Sequence, residues 1–388
     1  KSDPDQLQAL IAYICSEAVK NGISKPASPW KPELPEKISL GAMLTESTFD
    51  GNRWGETSDG LRTPIGIYDI PSKQEQDIQY IDLAEEGHLG IYGTSGTGKT
   101  TLLKTIICSY CLNYSPADVN IYILDCGWSM GRLLCLPHVG GVALDSEEEK
   151  FEKFPKMISD ELSRRKSLFA RNSVGTLTAY RKNVADDIPA IIIAIDNIVP
   201  MFDLYPDMEP FLVTLAREGA SFGIYLIYTA NSTSGVRYKV QQNIKNAIAF
   251  ELTDKGDYST LVGKIDGLPL PHNPGRAFFK GNPPVTFQSA LYSSGSTEAE
   301  MNASLLEIAK TMSEKWNGPL PRPIPVMPDT VTADSLKNEY NNRYMIPVGI
   351  DNSSLVTAFA DMTDNYCMLI TGTIGSGKSK MPSLFFIF

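Results

Sequence analysis

Gly93-Thr94-Ser95-Gly96-Thr97-Gly98-Lys99-Thr100 decides how this chain is read. Its spacing, G-x-x-x-x-G-K-[ST], is that of a phosphate-binding loop. The glycines permit backbone conformations that a Cβ would forbid, so successive N–H groups converge on an anion. Lys99 supplies a cation for the β- and γ-phosphates, and Thr100 offers a hydroxyl to Mg²⁺. The flanks agree with this reading. Leu89-Gly90-Ile91-Tyr92 follows Gly87 as a short apolar run and predicts a buried strand. Thr101 to Tyr110 is apolar on one face and predicts a helix whose N-terminus faces the phosphates. The expected ligands are ATP and Mg²⁺, held by residues 93–101.

The signature returns at Gly372-Thr373-Ile374-Gly375-Ser376-Gly377-Lys378-Ser379, 279 residues after its first occurrence. The repetition reaches beyond the loops. Pro64-Ile65-Gly66-Ile67 precedes the first copy and Pro347-Val348-Gly349-Ile350 the second. Further upstream, a helical stretch and a proline-rich run precede each: Leu7 to Lys20 with Pro26 to Pro35, and Leu305 to Trp316 with Pro319 to Pro328. A period this long means tandem whole domains rather than a solenoid. The expected division is a tail of a preceding unit with linker (1–60), a complete P-loop domain (61–295), a helix with proline-rich linker (296–345), and the start of a second P-loop domain (346–388).

Of the 388 residues, 42% are hydrophobic, enough for a full core, and the net charge is −10. An acidic balance argues against a nucleic-acid partner, which calls for a basic face. The six cysteines form no framework. Cys108-x-x-Cys111 falls on the helix after the loop and reads as small buried side chains. With three histidines, His88, His138 and His272, there is no convincing zinc set. No apolar run reaches membrane-spanning length, so any anchor is expected outside these residues.

In order along the chain, Ser2-Asp3-Pro4-Asp5 predicts the cap of a helix to Lys20, and Pro26, Pro29, Pro32 and Pro35 an extended connector in which Trp30 docks on a neighbour. Ile65 to Tyr68 and Val119 to Asp125 predict strands, the second ending in Asp125 where ligand chemistry gathers. Gly127 to Gly141 reads as a loop whose His138 is structural rather than catalytic. Ser146 to Arg171 predicts a long helix, acidic at its start and basic at its end, matching the helix dipole. Ala190-Ile191-Ile192-Ile193-Ala194-Ile195-Asp196 is the strongest buried strand. An apolar strand ending in Asp about a hundred residues after a P-loop marks the Mg²⁺-ordering aspartate, here Asp196. An acid that activates water usually follows it; here Asn197 follows, which accepts no proton at neutral pH. Pro210 to Glu218 predicts a helix. Phe222 to Asn231 predicts a strand ending in Thr229 and Asn231, at the position of a γ-phosphate sensor or a strand-end turn. Val236 to Asn246 then predicts a helix, Ala247 to Leu252 a strand, Gly263 to Arg276 a loop and Pro284 to Tyr292 a last strand.

The order of these motifs resembles the FtsK/SpoIIIE branch of P-loop ATPases. It runs from the P-loop through Leu136-Pro137-His138-Val139-Gly140-Gly141 and Glu161-Leu162-Ser163-Arg164-Arg165 to the Asp196 strand and Gly223-Ile224-Tyr225-Leu226. The tandem units, Pro274-Gly275-Arg276 and Phe287-Gln288 resemble, more narrowly, the EssC/EccC ATPases of type VII secretion. The resemblance covers essentially the whole chain. It implies an α/β fold of RecA-like P-loop domains, each with a mostly parallel sheet flanked by helices, in tandem array.

The same resemblance implies a membrane-anchored translocase at the cytoplasmic face of the cell membrane. It exports WXG-type proteins, is hexameric as a full protein, and works with other membrane components of the secretion system. Three departures point to a degenerate site: Asn197 in place of an acid, and Ser232 and Ala249 where family members carry arginine. The expected role is ATP binding with weak hydrolysis, domain assembly and substrate reception. The alternatives are an active motor domain or a DNA translocase.

Overall fold

In the computed structural model, the described residues are 5–23, 31–44, 48–55, 60–184, 188–265, 268, 272–336, 344–352, 355–363 and 367–382. Ser2 to Pro4, Pro26, Pro29, Trp30, Pro269 and Pro271 lie outside them. Among the described residues thirteen strands run in chain order as β1 (Ile38–Ser39), β2 (Arg62–Ile70), β3 (Glu75–Asp82), β4 (Leu89–Tyr92), β5 (Val119–Asp125), β6 (Val139–Leu144), β7 (Ala190–Asp196), β8 (Ile224–Ala230), β9 (Asn246–Ala249), β10 (Arg276–Phe279), β11 (Val285–Leu291), β12 (Met345–Ile350) and β13 (Thr357–Asp361). The helices are α1 (Gln6–Lys20), α2 (Leu83–Glu86), α3 (Lys99–Asn113), α4 (Glu148–Arg171), α5 (Leu177–Asn183), α6 (Ile198–Leu204), α7 (Met208–Glu218), α8 (Tyr238–Gln241), α9 (Lys255–Leu261), α10 (Glu298–Lys315) and α11 (Ala333–Leu336).

Strands β1 to β11 form one sheet in the order β3-β2-β11-β10-β9-β4-β8-β7-β5-β6, with β1 on β11. From β9 to β6 every neighbour is parallel, whereas β3 to β9 pair antiparallel. The P-loop strand β4 thus sits between β8 and β9, and β7 lies one strand further out.

Parallel strands covered on both faces must be apolar along their length, and β7 is apolar up to the Asp196 that ends it. Its alternation then divides two cores. Ile192 and Ala194 join the core built with α3, while Ile191, Ile193 and Ile195 join the core built with α4, α6 and α7. Because α3, the crossover leaving β4, covers one face while α8 and α9, which follow its neighbours β8 and β9, cover the other, the carboxyl end of β4 opens a crevice, and the P-loop occupies it.

Segments outside residues 61–295 also pack on this sheet. Leu34, Ile38, Leu40 and Met43 are buried, and Ile38–Ser39 pairs with β11. The Trp54 indole donates to the Cys111 carbonyl at 2.9 Å and meets Trp316 edge-on at 5.6 Å. From α10, Leu305, Ala309 and Met312 enter the α3-side core at positions one and two turns apart. By contrast α1 buries none of its residues; Leu7, Leu10, Ile11 and Ile14 are exposed. Among the described residues no helix is long and apolar enough to cross a membrane.

The two upstream hairpins share a defect. Between β2 and β3 the register slips between Pro64 and Gly66, and between β12 and β13 it slips between Pro347 and Gly349. In the first copy glycine is obligatory, because a Cβ on Gly66 would lie 2.1 Å from the Gln288 carbonyl of β11.

Several readings of the sequence need correction. The stretch 136–141 is not all loop: Val139–Leu144 is β6, an edge strand whose glycines hide its pattern. A Cβ on Gly140 or Gly141 would strike Tyr122 or Ile324, so small residues are demanded by packing rather than by turning. Val236 to Asn246 is helical only at Tyr238–Gln241, after which the chain turns into β9. Strand β3 goes unread because Glu75, Gln76, Asp77 and Gln79 make it polar; it is the exposed edge of the sheet.

Candidate functional site

The first turn of α3 begins at Lys99, so the P-loop delivers Lys99, Thr100 and Thr101 onto a helix N-terminus. Gly96 (φ +81°) and Gly98 (φ +111°) are left-handed, and a Cβ on Gly93 would strike Phe250 and the Thr97 hydroxyl. The loop is held from behind. Gly93 N–H donates to the Ala230 carbonyl at 3.2 Å, and Thr94 N–H to the Glu251 carbonyl at 2.8 Å. The Thr97 hydroxyl donates to Thr94 O at 2.9 Å, and Gly275 N–H to Thr97 O at 2.9 Å. The Pro274-Gly275-Arg276 turn therefore braces the loop.

Ser95, Gly96, Gly98, Lys99, Thr100 and Thr101 line a cavity of about 500 Å³. Asp196, Asn197, Thr229, Asn231, Gly127 and Ser129 also line it, from the carboxyl ends of β5, β7 and β8. Asp196 is the hub. It accepts from the Thr100 hydroxyl (3.0 and 3.1 Å to its two oxygens), from Thr229 Oγ1 at 2.8 Å and from Ser129 Oγ at 3.4 Å. A Cβ on Gly127 would come within 2.5 Å of Asp196 Oδ2, so that approach is open only to glycine. The Lys99 ammonium donates to Thr94 O at 2.8 Å. Burial lowers its pKa, and the charge of Asp196 works against that shift.

Asn197 adopts φ +57°, a left-handed conformation that Asn tolerates better than most residues. Its backbone N–H donates to Thr229 Oγ1 at 2.8 Å, which ties the end of β7 to the end of β8. Asn231 is exposed at the cavity wall just past β8. Among the described residues no cluster of three or more His, Cys, Asp or Glu could hold a metal alone. A Mg²⁺ ion here would need phosphate oxygens beside Thr100 and Asp196, and the left-handed glycines with an open side at Gly96 fit a phosphate.

Other candidates have structural work. Asp125 accepts from Gly127 N–H and Met130 N–H and shapes the loop after β5. His138 is buried with Nε2 2.7 Å from the Tyr114 carbonyl, and burial pushes its pKa down to about 4. Arg165 is buried and bonded to Glu161 and to the carbonyls of Phe222, Gly223 and Pro189. Ser129, Lys104, Tyr292, Glu298 and Met301 line the cavity without any sequence signal, since each arrives there through tertiary packing.

The second P-loop repeats the local geometry. Gly375 and Gly377 both have φ +85°, and Lys378 donates to the Gly372 and Thr373 carbonyls as Lys99 does to Thr94. Ile374, Gly375 and Ser376 at its tip are exposed.

Residues 58–266 match the model of the FtsK/SpoIIIE family. The ESX secretion system protein EccC of Geobacillus thermodenitrificans is 30% identical over 97% of this chain and 25% of its own length. The chain thus spans about a quarter of the length of the curated relatives it matches. The solved structure of EssC (ATPases 2 and 3) from the same organism superposes with a TM-score of 0.81 at 29% identity, covering 92% of this chain and 67% of that one. Thermomonospora curvata EccC (ATPases 2 and 3), in complex with a signal sequence peptide, superposes with a TM-score of 0.71 at 27% identity, covering 86% and 62%.

Proposed function

Because this chain belongs to the FtsK/SpoIIIE family, whose model matches just over half of it, we propose that it is a nucleotide-binding unit of a tandem type VII secretion ATPase. In this reading it binds ATP with Mg²⁺, turns it over slowly, and serves assembly with the next unit and reception of exported WXG-type substrates. The observation that carries the proposal is the chain of contacts from Thr100 through Asp196 to Thr229, followed directly by Asn197.

The bound nucleotide supplies the phosphoanhydride and, with Mg²⁺, the metal shell. The protein's part is to place donors and charges. The loop N–H groups and Lys99 offset phosphate charge, Thr100 and Asp196 order the metal shell, and Thr229 holds the Asp196 carboxylate in place. Hydrolysis would further need a base for water beside Asp196. Asn197 has no such capacity, and its left-handed backbone ties it to Thr229 rather than presenting an acid.

The membrane anchor, the hexamer and the other secretion components belong to the full protein and are part of the proposal. The experiment that tests it is single-turnover ATP hydrolysis measured beside nucleotide binding on this chain. Binding with very slow turnover is expected; brisk turnover overturns the slow-hydrolysis reading.

A further inference from the structure

Residues 125–130 carry the chain out of β5 and along the cavity. Asp125 and Asp196 are register partners on the adjacent strands β5 and β7. Asp196 lines the cavity, whereas Asp125 is fully buried and gives its carboxylate to its own loop. Its Oδ1 accepts from Gly127 N–H at 2.9 Å and its Oδ2 from Met130 N–H at 2.7 Å. Cys126 N–H donates to the Asp196 carbonyl at 3.1 Å, and Met130 is buried. Residues 127–129 are therefore spanned between two fixed ends.

This span is shaped against its intrinsic preferences. Gly127 runs so close to Asp196 that a Cβ there would lie 2.5 Å from Oδ2. Trp128 is left-handed at φ +58°, a region that a bulky residue rarely enters. It is 64% exposed, so its ring gains little packing in return. What the turn achieves is to set Gly127 and Ser129, on either side of Trp128, against the cavity. Backbone strain of this kind persists where the surroundings hold a site in shape.

Ser129 is the side chain so placed. Its hydroxyl lies 3.4 Å from Asp196 Oδ2, whereas Thr100 and Thr229 approach the same carboxylate at 2.8 to 3.1 Å. An O–H···O bond normally measures about 2.5–3.0 Å, so Ser129 stands beside the carboxylate without being committed to it. Thr229 contacts Oδ1 alone, which leaves Oδ2 to Thr100 and Ser129.

We infer that Ser129 is a positioning residue of the metal shell and that Asp125 sets it there. In Mg²⁺ sites several metal-bound waters usually remain. A hydroxyl beside Asp196 Oδ2 holds such a water from the β5 side, next to those held by the carboxylate, and so orients the shell. Asp125 acts one step further back. Two N–H donors at opposite ends of the loop require an acceptor at each oxygen, which only a carboxylate provides. The inference rests on the nucleotide-binding reading above and adds a residue that no sequence signal marks.

The test is calorimetric titration of ATP, with Mg²⁺ and with EDTA, into the wild-type chain, Ser129→Ala, Ser129→Thr and Asp125→Asn, beside a thermal melt of each. The quantity read is the Mg²⁺ gain, the ratio of the two ATP dissociation constants. Ser129→Ala is expected to cut this gain about 10-fold, with the loss confined to the Mg²⁺ titration, and Ser129→Thr to retain most of it. Asp125→Asn turns one acceptor into a donor that faces an N–H, and is expected to lower the gain and the melting temperature together. Ser129 is only half-buried, so its two variants decide the matter if Asp125→Asn fails to fold. An unchanged gain in Ser129→Ala, equal losses with Mg²⁺ and with EDTA, or a Ser129→Thr variant as weak as Ser129→Ala would overturn the assignment. A wild-type chain whose ATP affinity is indifferent to Mg²⁺ would also overturn it while leaving the phosphate site standing. A wild-type chain that binds ATP in neither condition fails the nucleotide-binding reading itself.

Discussion

The Thr100 hydroxyl lies 3.0 Å from one carboxylate oxygen of Asp196 and 3.1 Å from the other, although the two residues are 96 positions apart. The contact joins the first turn of α3 to the end of β7. If these two groups order a metal shell, Asp196→Ala should abolish the gain in ATP affinity that Mg²⁺ provides. A charge-assisted contact of this kind is worth about 1.5–3 kcal/mol, or roughly 10- to 100-fold. Titrations with and without Mg²⁺ decide it, and an unchanged Mg²⁺ dependence would remove Asp196 from the metal shell.

Lys99→Ala should weaken ATP by a similar factor and leave the fold intact. Among the described residues the ammonium donates only within its own loop, to Thr94 O, and bridges to no other element. Calorimetry and a thermal melt measured together separate the two effects; equal ATP affinity would take Lys99 out of the site.

Asn197→Glu places an acid after Asp196. The general-base contribution is worth roughly 10²–10⁴-fold in rate. The position is left-handed at φ +57°, so a Glu there also costs about 1–2 kcal/mol of stability. The expected result is a lower melting temperature with faster single-turnover hydrolysis. A flat rate with ATP still bound would mean that the missing acid is not the sole defect.

His88 and His138 are both buried, and burial pushes each pKa down to about 4. Unfolded, each should titrate near 6.5. A base with a depressed folded pKa takes up its proton on unfolding. Its contribution is therefore complete above about pH 6.5 and falls as pH drops through the window to about 4, by up to about 3 kcal/mol per group. In His138 the proton would go to Nδ1, which has no partner among the described residues. Melting temperatures from pH 7 to 5 should decline, and His138→Gln should flatten the slope. The same slope in the variant would assign the loss to other groups.

A signal peptide offers a harder test. Helical signals dock through an apolar face, and this chain carries a net charge of −10, so apolar contact should supply most of the affinity and binding should vary little with salt. We expect weak or absent binding to residues 1–388 and clear binding once the chain is extended through the second unit. Equal affinities would make the first unit the receptor.

The parallel half of the sheet was legible because strands buried on both faces, such as β5, β7 and β8, are apolar at nearly every position. The edges were not. Polar β3 and glycine-bearing β6 owe their conformation to neighbours, so neither carries the pattern of a buried strand. The same division runs through the cavity. The P-loop and Asp196 have local signatures, whereas Ser129, Lys104 and Glu298 meet them only after β5, α3 and α10 are packed.

The slipped register at Pro64–Gly66 and Pro347–Gly349 has a historical consequence. A bulge adds one residue to one strand, and every side chain beyond it changes face. Two hairpins acquiring it separately would need the same insertion at the same step between the same proline and glycine. If the two stretches arose by duplication, the hairpin that was copied was already out of step, and divergence has left the misstep in both.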